Sequence, residues 1–311
     1  MSVVSRAQLE ASLSELCAHV DTPVAGILGP HSAGWQVGGD LAVFVGGGRA
    51  ALLQLAHPMV AHAIDHHSDT RADIGGRFHR TFHNVFAMVF GDLPAAIGAA
   101  RRVHSVHERI TGTFAEAAGS FPAGTRYAAN DADALRWVHA TLVDTTLIVR
   151  ERLDGPLPRA LADRYVVDLN RFAALFGIPR DLLPRSRAEH DDYMADMFAS
   201  DRLAITPAAR EMAHFLVGRH TKQSPLGKLA EIVTAELLPP HLTRAFELQS
   251  SPRLARAAMR SFATIYARLP AALVRLPAHA DAIARIHGTS PSRWSAWTEK
   301  KLLGLAKQVA R

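Results

Sequence analysis

The sequence predicts an all-α protein built as one domain of roughly ten to thirteen helices. Three observations lead there. Apolar residues recur three and four positions apart along nearly the whole chain, the period of helices with one face in a core. Start signals of the Ser/Thr/Asp type precede those periodic stretches, several followed at once by proline. No run of Val, Ile, Thr and aromatic residues alternates as a half-buried strand does. A chain of 311 residues, 48% hydrophobic and 21% charged, can also bury a large core, so it needs no disulfide or structural metal.

Taken in order, Ser5-Arg6-Ala7-Gln8-Leu9-Glu10 opens an amphipathic N-terminal helix that carries Cys17, the single cysteine. Residues 20–38, rich in Gly, Pro and Ser, read as a long loop. The most apolar run, Leu41 to Ala56, contains Arg49, Gln54 and a glycine triplet, and falls short of a membrane span. Its helix continues through His57, with a kink expected at Pro58. Residues 119–129 read as a second long loop. Asn130, Asp131 and Asp133 open a helix containing Leu135, Val138, Leu142 and Val149. That helix is apolar on most faces, which makes it central to the fold. Gly177-Ile178-Pro179 ends the helix of Tyr165, Leu169 and Phe172. Ser186-Arg187-Ala188-Glu189 forms a capping box. Thr206-Pro207, Ser251-Pro252 and Ser290-Pro291 each set an N-cap before a proline at the first helical position. Nothing reads as an interdomain linker, so residues 1–311 form one domain, with the helices of 250–311 part of it.

Charge and cysteine usage narrow the setting. The net charge of +6 comes mostly from arginines scattered among acids. With no aromatic-basic platform, this argues against a nucleic-acid-binding role. Only the C-terminal stretch is locally basic, with Arg293, Lys300, Lys301, Lys307 and Arg311 against Glu299. It reads as a solvated helix face, with contact to an acidic partner or a peripheral membrane surface as the alternative. The lone cysteine and the polar N-terminus, with no signal peptide pattern, place the expected location in the cytoplasm.

Two helical motifs carry the most chemistry. The first is Arg77-Phe78-His79-Arg80-Thr81; the second runs from Arg102 to Gly112 and contains His107. Residues three and four apart share a helix face, so Arg77, Arg80 and Thr81 form one polar patch, and His107 projects between Val103 and Ile110 on an apolar stripe. An imidazole in such a stripe, with guanidinium groups from a second helix, has what a haem needs: an axial ligand and partners for its propionates. The same pattern also fits a core histidine with surface arginines.

The other candidates are less specific. Gly46-Gly47-Gly48-Arg49 lacks the Lys-Ser/Thr of a P-loop. Each glycine in a helix costs roughly 1 kcal/mol against Ala, so the triplet marks either tight helix packing or a ligand surface. His57 reads as a hydrogen-bonded core histidine. His62 and His66, like His79 and His83, have the spacing of metal ligands on a helix. A zincin needs H-E-x-x-H, whereas His107-Glu108-Arg109-Ile110-Thr111 ends in Thr. A di-iron bundle needs two E-x-x-H motifs, and only Glu211-Met212-Ala213-His214 is present. No G-x-S-x-G elbow exists, and Cys17 has no neighbouring base. His139 and Asp144 are polar groups on the central helix that need partners there, as satisfied core groups or, alternatively, as lining of the active pocket.

The order of these segments resembles the oxygenase family that joins the catalytic domains of rubber oxygenase (latex clearing protein) and the ER-bound oxygenase of mycophenolic acid biosynthesis. The resemblance rests on Gly29-Pro30-His31-Ser32, Trp35, the block from Gly46 to Pro58, and His67-Ser68. It continues through Arg77 to Thr81, Val103 to Gly112, and Trp137-Val138-His139-Ala140-Thr141-Leu142. Weaker matches are Leu175 to Pro179 and Leu237-Leu238-Pro239-Pro240, so coverage is about 25–245.

The resemblance implies a globin-like helical core around a buried pocket for haem b. His107 matches the proximal iron ligand. Arg77, Arg80 and Thr81 match the polar patch near the haem, and Asp65 is the candidate acid or base. Where some rubber oxygenases carry Lys, this chain has Arg80. Arginine stays protonated and cannot ligate iron, so the distal position is expected to be open or filled by water at rest. Rubber oxygenases are secreted and the fungal enzyme is membrane-anchored. The absence here of a signal pattern or anchor segment points to a smaller apolar substrate, such as an isoprenoid or alkene-containing lipid, with dioxygen or peroxide as oxidant. The alternative is a non-catalytic haem or apolar-ligand binding protein on the same fold.

Overall fold

The structure, a computed structural model, describes residues 2–66, 74–219 and 223–290, with the backbone alone for 66 and 74–80. Among the described residues the chain forms fifteen α-helices and one two-stranded sheet. The helices are α1 (Arg6–Ala18), α2 (Ala33–Gly38), α3 (Gly47–Leu55), α4 (Pro58–His66), α5 (Ile74–Phe90), α6 (Leu93–His107), α7 (Ala132–Asp154) and α8 (Arg159–Ala174). They continue with α9 (Arg187–Ala199), α10 (Pro207–Leu216), α11 (Pro225–Leu237), α12 (Pro240–Ala245), α13 (Pro252–Tyr266), α14 (Ala271–Val274) and α15 (Pro277–Ile286). Strands β1 (Thr111–Thr113) and β2 (Arg126–Ala128) pair antiparallel between α6 and α7.

The central helix is α7, as its apolar sequence requires. Asp131 caps it by accepting from the Ala134 amide at 3.0 Å. Leu135, Val143 and Leu147 enter a core shared with α1, α6 and α8. Trp137 and Ala140, on another face, enter a second core with α3, α4 and α9–α12. The buried Trp137 indole donates to the Leu53 carbonyl at 2.8 Å, which satisfies its one polar atom. A smaller cluster of Met59, Phe114, Ala118, Tyr127 and Ala134 surrounds the β-strands. Another, of Trp35, Phe90, Leu276 and Ala282, ties α2 and α5 to α15.

Helices α5 and α6 form an antiparallel hairpin, because only Gly91 and Asp92 connect them. Asp92 caps α6 by accepting from the Ala95 amide at 2.8 Å. Gly91 is required because a Cβ there would collide with the Ala87 carbonyl.

Several expectations are corrected. The helix count exceeds the expected range because short helices such as α2, α12 and α14 lack a full amphipathic repeat. Residues 20–38 hold α2 and a 3₁₀ turn at Pro23–Ala25 rather than one long loop. Pro58 starts α4 instead of kinking a continuous helix, and its missing N–H costs nothing at that position. Strand β2 lies inside the segment read as loop; three residues are too few to show alternation. At α9, Ser186 caps the Glu189 amide as expected, but Glu189 turns back to Arg185 rather than to Ser186. Thr206 caps α10, whereas Ser251 makes no side-chain cap. Ser290 is the last described residue, so its cap before Pro291, and the basic C-terminal stretch, lie outside the described residues.

Candidate functional site

The α5–α6 hairpin gathers the sequence candidates at its end remote from Gly91. His107 is the last residue of α6. The antiparallel arrangement lays the first turns of α5, which hold positions 77, 80 and 81, beside that terminus. The side chains of Arg77 and Arg80 lie outside the described residues, as do those of His66 and His79. His67 and Ser68 lie outside them altogether. Thr81 is exposed and His107 half-buried. The helical reading of the second motif holds only to His107: the chain leaves the helix at Glu108 and enters β1 at Thr111, so Ile110 is not on the same stripe.

His104, one turn earlier, has a different role. It is buried, and its Nε2 meets the Val4 carbonyl at 3.0 Å. Asn130 donates to its backbone carbonyl at 3.2 Å. This histidine fastens the N-terminal segment to the body of the domain.

Helix α4 packs on strand β2. The His62 ring stacks on Phe114 at 4.4 Å between centroids and tilts against Tyr127 at 6.0 Å. Its Nδ1 lies 2.9 Å from the Pro58 carbonyl. The half-buried Asp65 is close enough to act on Tyr127, whose hydroxyl pKa is raised, first by burial and then by the Asp65 charge. Tyr127 pairs with Gly112 across the strands, and a Cβ on Gly112 would meet the Tyr127 hydroxyl at 2.5 Å. Four residues of chain separate His107 from Gly112, so the two lie within about 18 Å. Asp65, His62, Phe114 and Tyr127 thus form an aromatic and acidic wall tethered to the hairpin end. The sequence reading found Asp65 and His62 but missed Phe114 and Tyr127, which sit on segments too short and irregular to show periodicity.

The glycine block and the helix of Trp137 meet elsewhere. Arg49 is 1% exposed; its guanidinium donates to Asp144 at 2.5 Å, Thr145 at 2.7 Å and the Leu237 carbonyl at 2.7 Å. Burial opposes ionisation of Asp144, but His190 and Arg49 outweigh it and hold the carboxyl below its usual range. A Cβ on Gly46 would strike Thr145, and one on Gly48 would strike Thr234. These two glycines therefore let α3 close on α7 and α11, which decides for tight packing over a ligand surface.

Asp144, His190 and Asp191 also bring one ligand atom each within 4.8 Å of one another. No local spacing announces that group, since it joins α7 to α9. Asp144 is already paired with Arg49, and Asp191 with Arg187 at 2.6 Å. A divalent cation would meet two guanidinium groups, so the group is an ion-pair joint in its chemistry.

His57 and His139 are buried, but neither ring has a hydrogen-bond partner among the described residues, contrary to the expectation that each would be satisfied. Burial pushes both down to about 3, helped by Arg202 near His57 and His190 near His139. Both are neutral imidazoles in the fold. Phe121 lies 5.4 Å from His57, and Phe172 lies 6.1 Å from His139.

Residues 35–268 match the family model of the ER-bound oxygenase mpaB/B'/rubber oxygenase catalytic domain. The match covers well over half of the chain, and the chain belongs to this family. It carries an oxygenase catalytic domain and is an enzyme of the oxidoreductase class. No curated protein matches, and no solved structure matches. No helix among the described residues is long and apolar enough to cross a membrane.

Proposed function

We propose that the chain is a haem b-dependent oxygenase acting on a hydrophobic small molecule, with His107 as the proximal iron ligand. Family membership supports the oxygenase class. The observation that carries the rest is the α5–α6 hairpin, which brings His107 to the same end as positions 77, 80 and 81. The residue types fit the group: an imidazole at a helix terminus and two arginines in the sequence of the facing helix. The remainder of the domain, 1–311, is the globin-like core that holds this pocket.

When bound, haem supplies dioxygen or peroxide activation. The chain's own residues do the rest. His107 would hold the group through one ring nitrogen. Arg77 and Arg80 would pair with propionates, and Thr81 would offer a hydroxyl donor. Asp65 is the proton acceptor, in a position where its charge already reaches Tyr127. Arg80 stays protonated and would not itself ligate iron. The apolar rings suit an alkene-containing substrate such as an isoprenoid lipid. The exposed single Cys17 fits a reducing compartment, and we place the protein in the cytoplasm.

An absorption spectrum of the protein from cells fed a haem precursor tests this reading. The expected result is a Soret band that shifts on reduction and again with carbon monoxide. His107→Ala loses the band, while His104→Ala, a structural change, keeps it. A wild-type chain with no Soret band and no gain on adding hemin sinks the proposal. Turnover of an apolar alkene separates the enzyme from a haem carrier.

A further inference from the structure

A cleft of about 430 Å³ opens between the start of α2 and α15. Its polar lining comes from His31, Ser32, Gln36, Arg275 and His279. Among the described residues, no acid lines it. The His279 ring packs on Phe90 at 5.7 Å. Phe90 lies about 14 Å along α5 from Thr81, so this cleft is separate from the hairpin tip.

His279 is only 9% exposed. Its ring also meets Trp35 edge-on at 5.2 Å. Gly39 makes room for it, since a Cβ there would come within 2.7 Å of the ring. Among the described residues the ring makes no hydrogen bond. Its neighbour Trp35 differs: that indole donates to the Val89 carbonyl at 2.9 Å. Buried polar groups are nearly always bonded, so the His279 ring has to find its partner in the cleft. Burial, and then the Arg275 charge, push its pKa down to about 4. At neutral pH the ring is therefore uncharged and offers one N–H.

Arg275 is fixed by its backbone. It bridges to Asp40, and the next amide, of Leu276, donates to the Gly39 carbonyl at 2.9 Å. Its guanidinium approaches Asp40 only to 3.6 Å and makes no hydrogen bond among the described residues. Asp40 is shared with Arg150 at 3.3 Å, and Arg150 reaches Asp154 at 2.7 Å. The Arg275 fork thus keeps donors for the cleft. The side chains of His31 and Gln36 likewise make no hydrogen bond among the described residues. Ser32 is already used: its hydroxyl donates to the Gly29 carbonyl and accepts from the Trp35 amide.

One guanidinium, several unpartnered donors and no lining acid select an anion. The planar fork of arginine matches a carboxylate in bidentate geometry. Pro30 and Ile283 add an apolar edge that a bare inorganic ion would leave uncovered. We propose that this cleft binds a small organic carboxylate, with Arg275, His279 and Gln36 donating to the carboxylate and Pro30 and Ile283 against its hydrocarbon part. The inference is independent of the haem assignment.

The test is calorimetric titration of the full chain with benzoate and, separately, with inorganic phosphate. Saturable benzoate binding is expected, at least about tenfold tighter than phosphate, which has no apolar body to cover Pro30 and Ile283. Arg275→Met should weaken benzoate binding at least about tenfold. His279→Phe keeps a ring against Trp35 and Phe90 and should weaken it about fivefold. Gln36→Leu, at an exposed position, should weaken it about threefold and carries the test if either other variant unfolds. Arg185→Met, outside the cleft, should leave it unchanged. Thermal midpoints check that the variants fold. No saturable benzoate binding by wild type overturns the inference and leaves the cleft to water. Phosphate binding as tightly as benzoate overturns it too, by assigning the cleft to bare oxyanions. Benzoate binding unchanged in the cleft variants places the carboxylate elsewhere and also overturns it.

Discussion

The joint of Arg49 with Asp144 and the tip of the α5–α6 hairpin both drew notice in sequence, yet they differ in kind. At the joint, three guanidinium bonds find protein acceptors, and two glycines are spent on close approach of helices. The protein completes that site by itself. At the tip, a half-buried imidazole terminates a helix, beside a facing helix whose sequence supplies two arginines and an exposed threonine. The contrast teaches that a conspicuous motif marks a constraint without telling its kind; depth of burial marks the structural joint.

The largest expected effect breaks the joint. Arg49→Met or Asp144→Leu leaves one buried charge without its partner and should cost about 3–5 kcal/mol in urea unfolding. The double variant should lose less than either single change. If the losses simply add, the two residues are not coupled.

Glycine substitutions sharpen the packing side. Gly48→Ala places a methyl against Thr234 and should destabilise by about 1–3 kcal/mol. Gly47, with nothing within 4 Å of an added Cβ, should gain about 0.5–1 kcal/mol on the same change. Equal responses at the two positions would contradict the close approach at Gly48.

The buried histidines give a pH signature. Both stay neutral in the fold to about pH 3, whereas the unfolded chain protonates them below about pH 6.5. Between those limits the unfolded state binds more protons, so stability falls as pH falls, by about 1.4 kcal/mol per unit for each histidine. His139→Leu should remove one such contribution from the slope between pH 6 and 4. An unchanged slope means that His139 already carries its proton in the fold.

The smallest stability effect belongs to the tip. His107→Ala should move unfolding by no more than about 1 kcal/mol while abolishing the Soret band. A large loss of stability there would turn the tip into a second structural joint.

The all-α class, the central place of α7 and the caps at Asp131, Ser186 and Thr206 were legible in sequence, because helical period and capping are local properties of neighbouring residues. The family was legible too, since its blocks survive as contiguous strings from Gly46 to Pro58 and from Trp137 to Leu142. The tertiary structure alone decided that Gly46 and Gly48 serve packing, that Asp144 answers Arg49, and that His104 rather than His107 anchors the N-terminus. It alone revealed Phe114 and Tyr127 beside Asp65. Those facts depend on which distant surfaces meet, and no spacing along the chain encodes a contact between helices ninety-five residues apart.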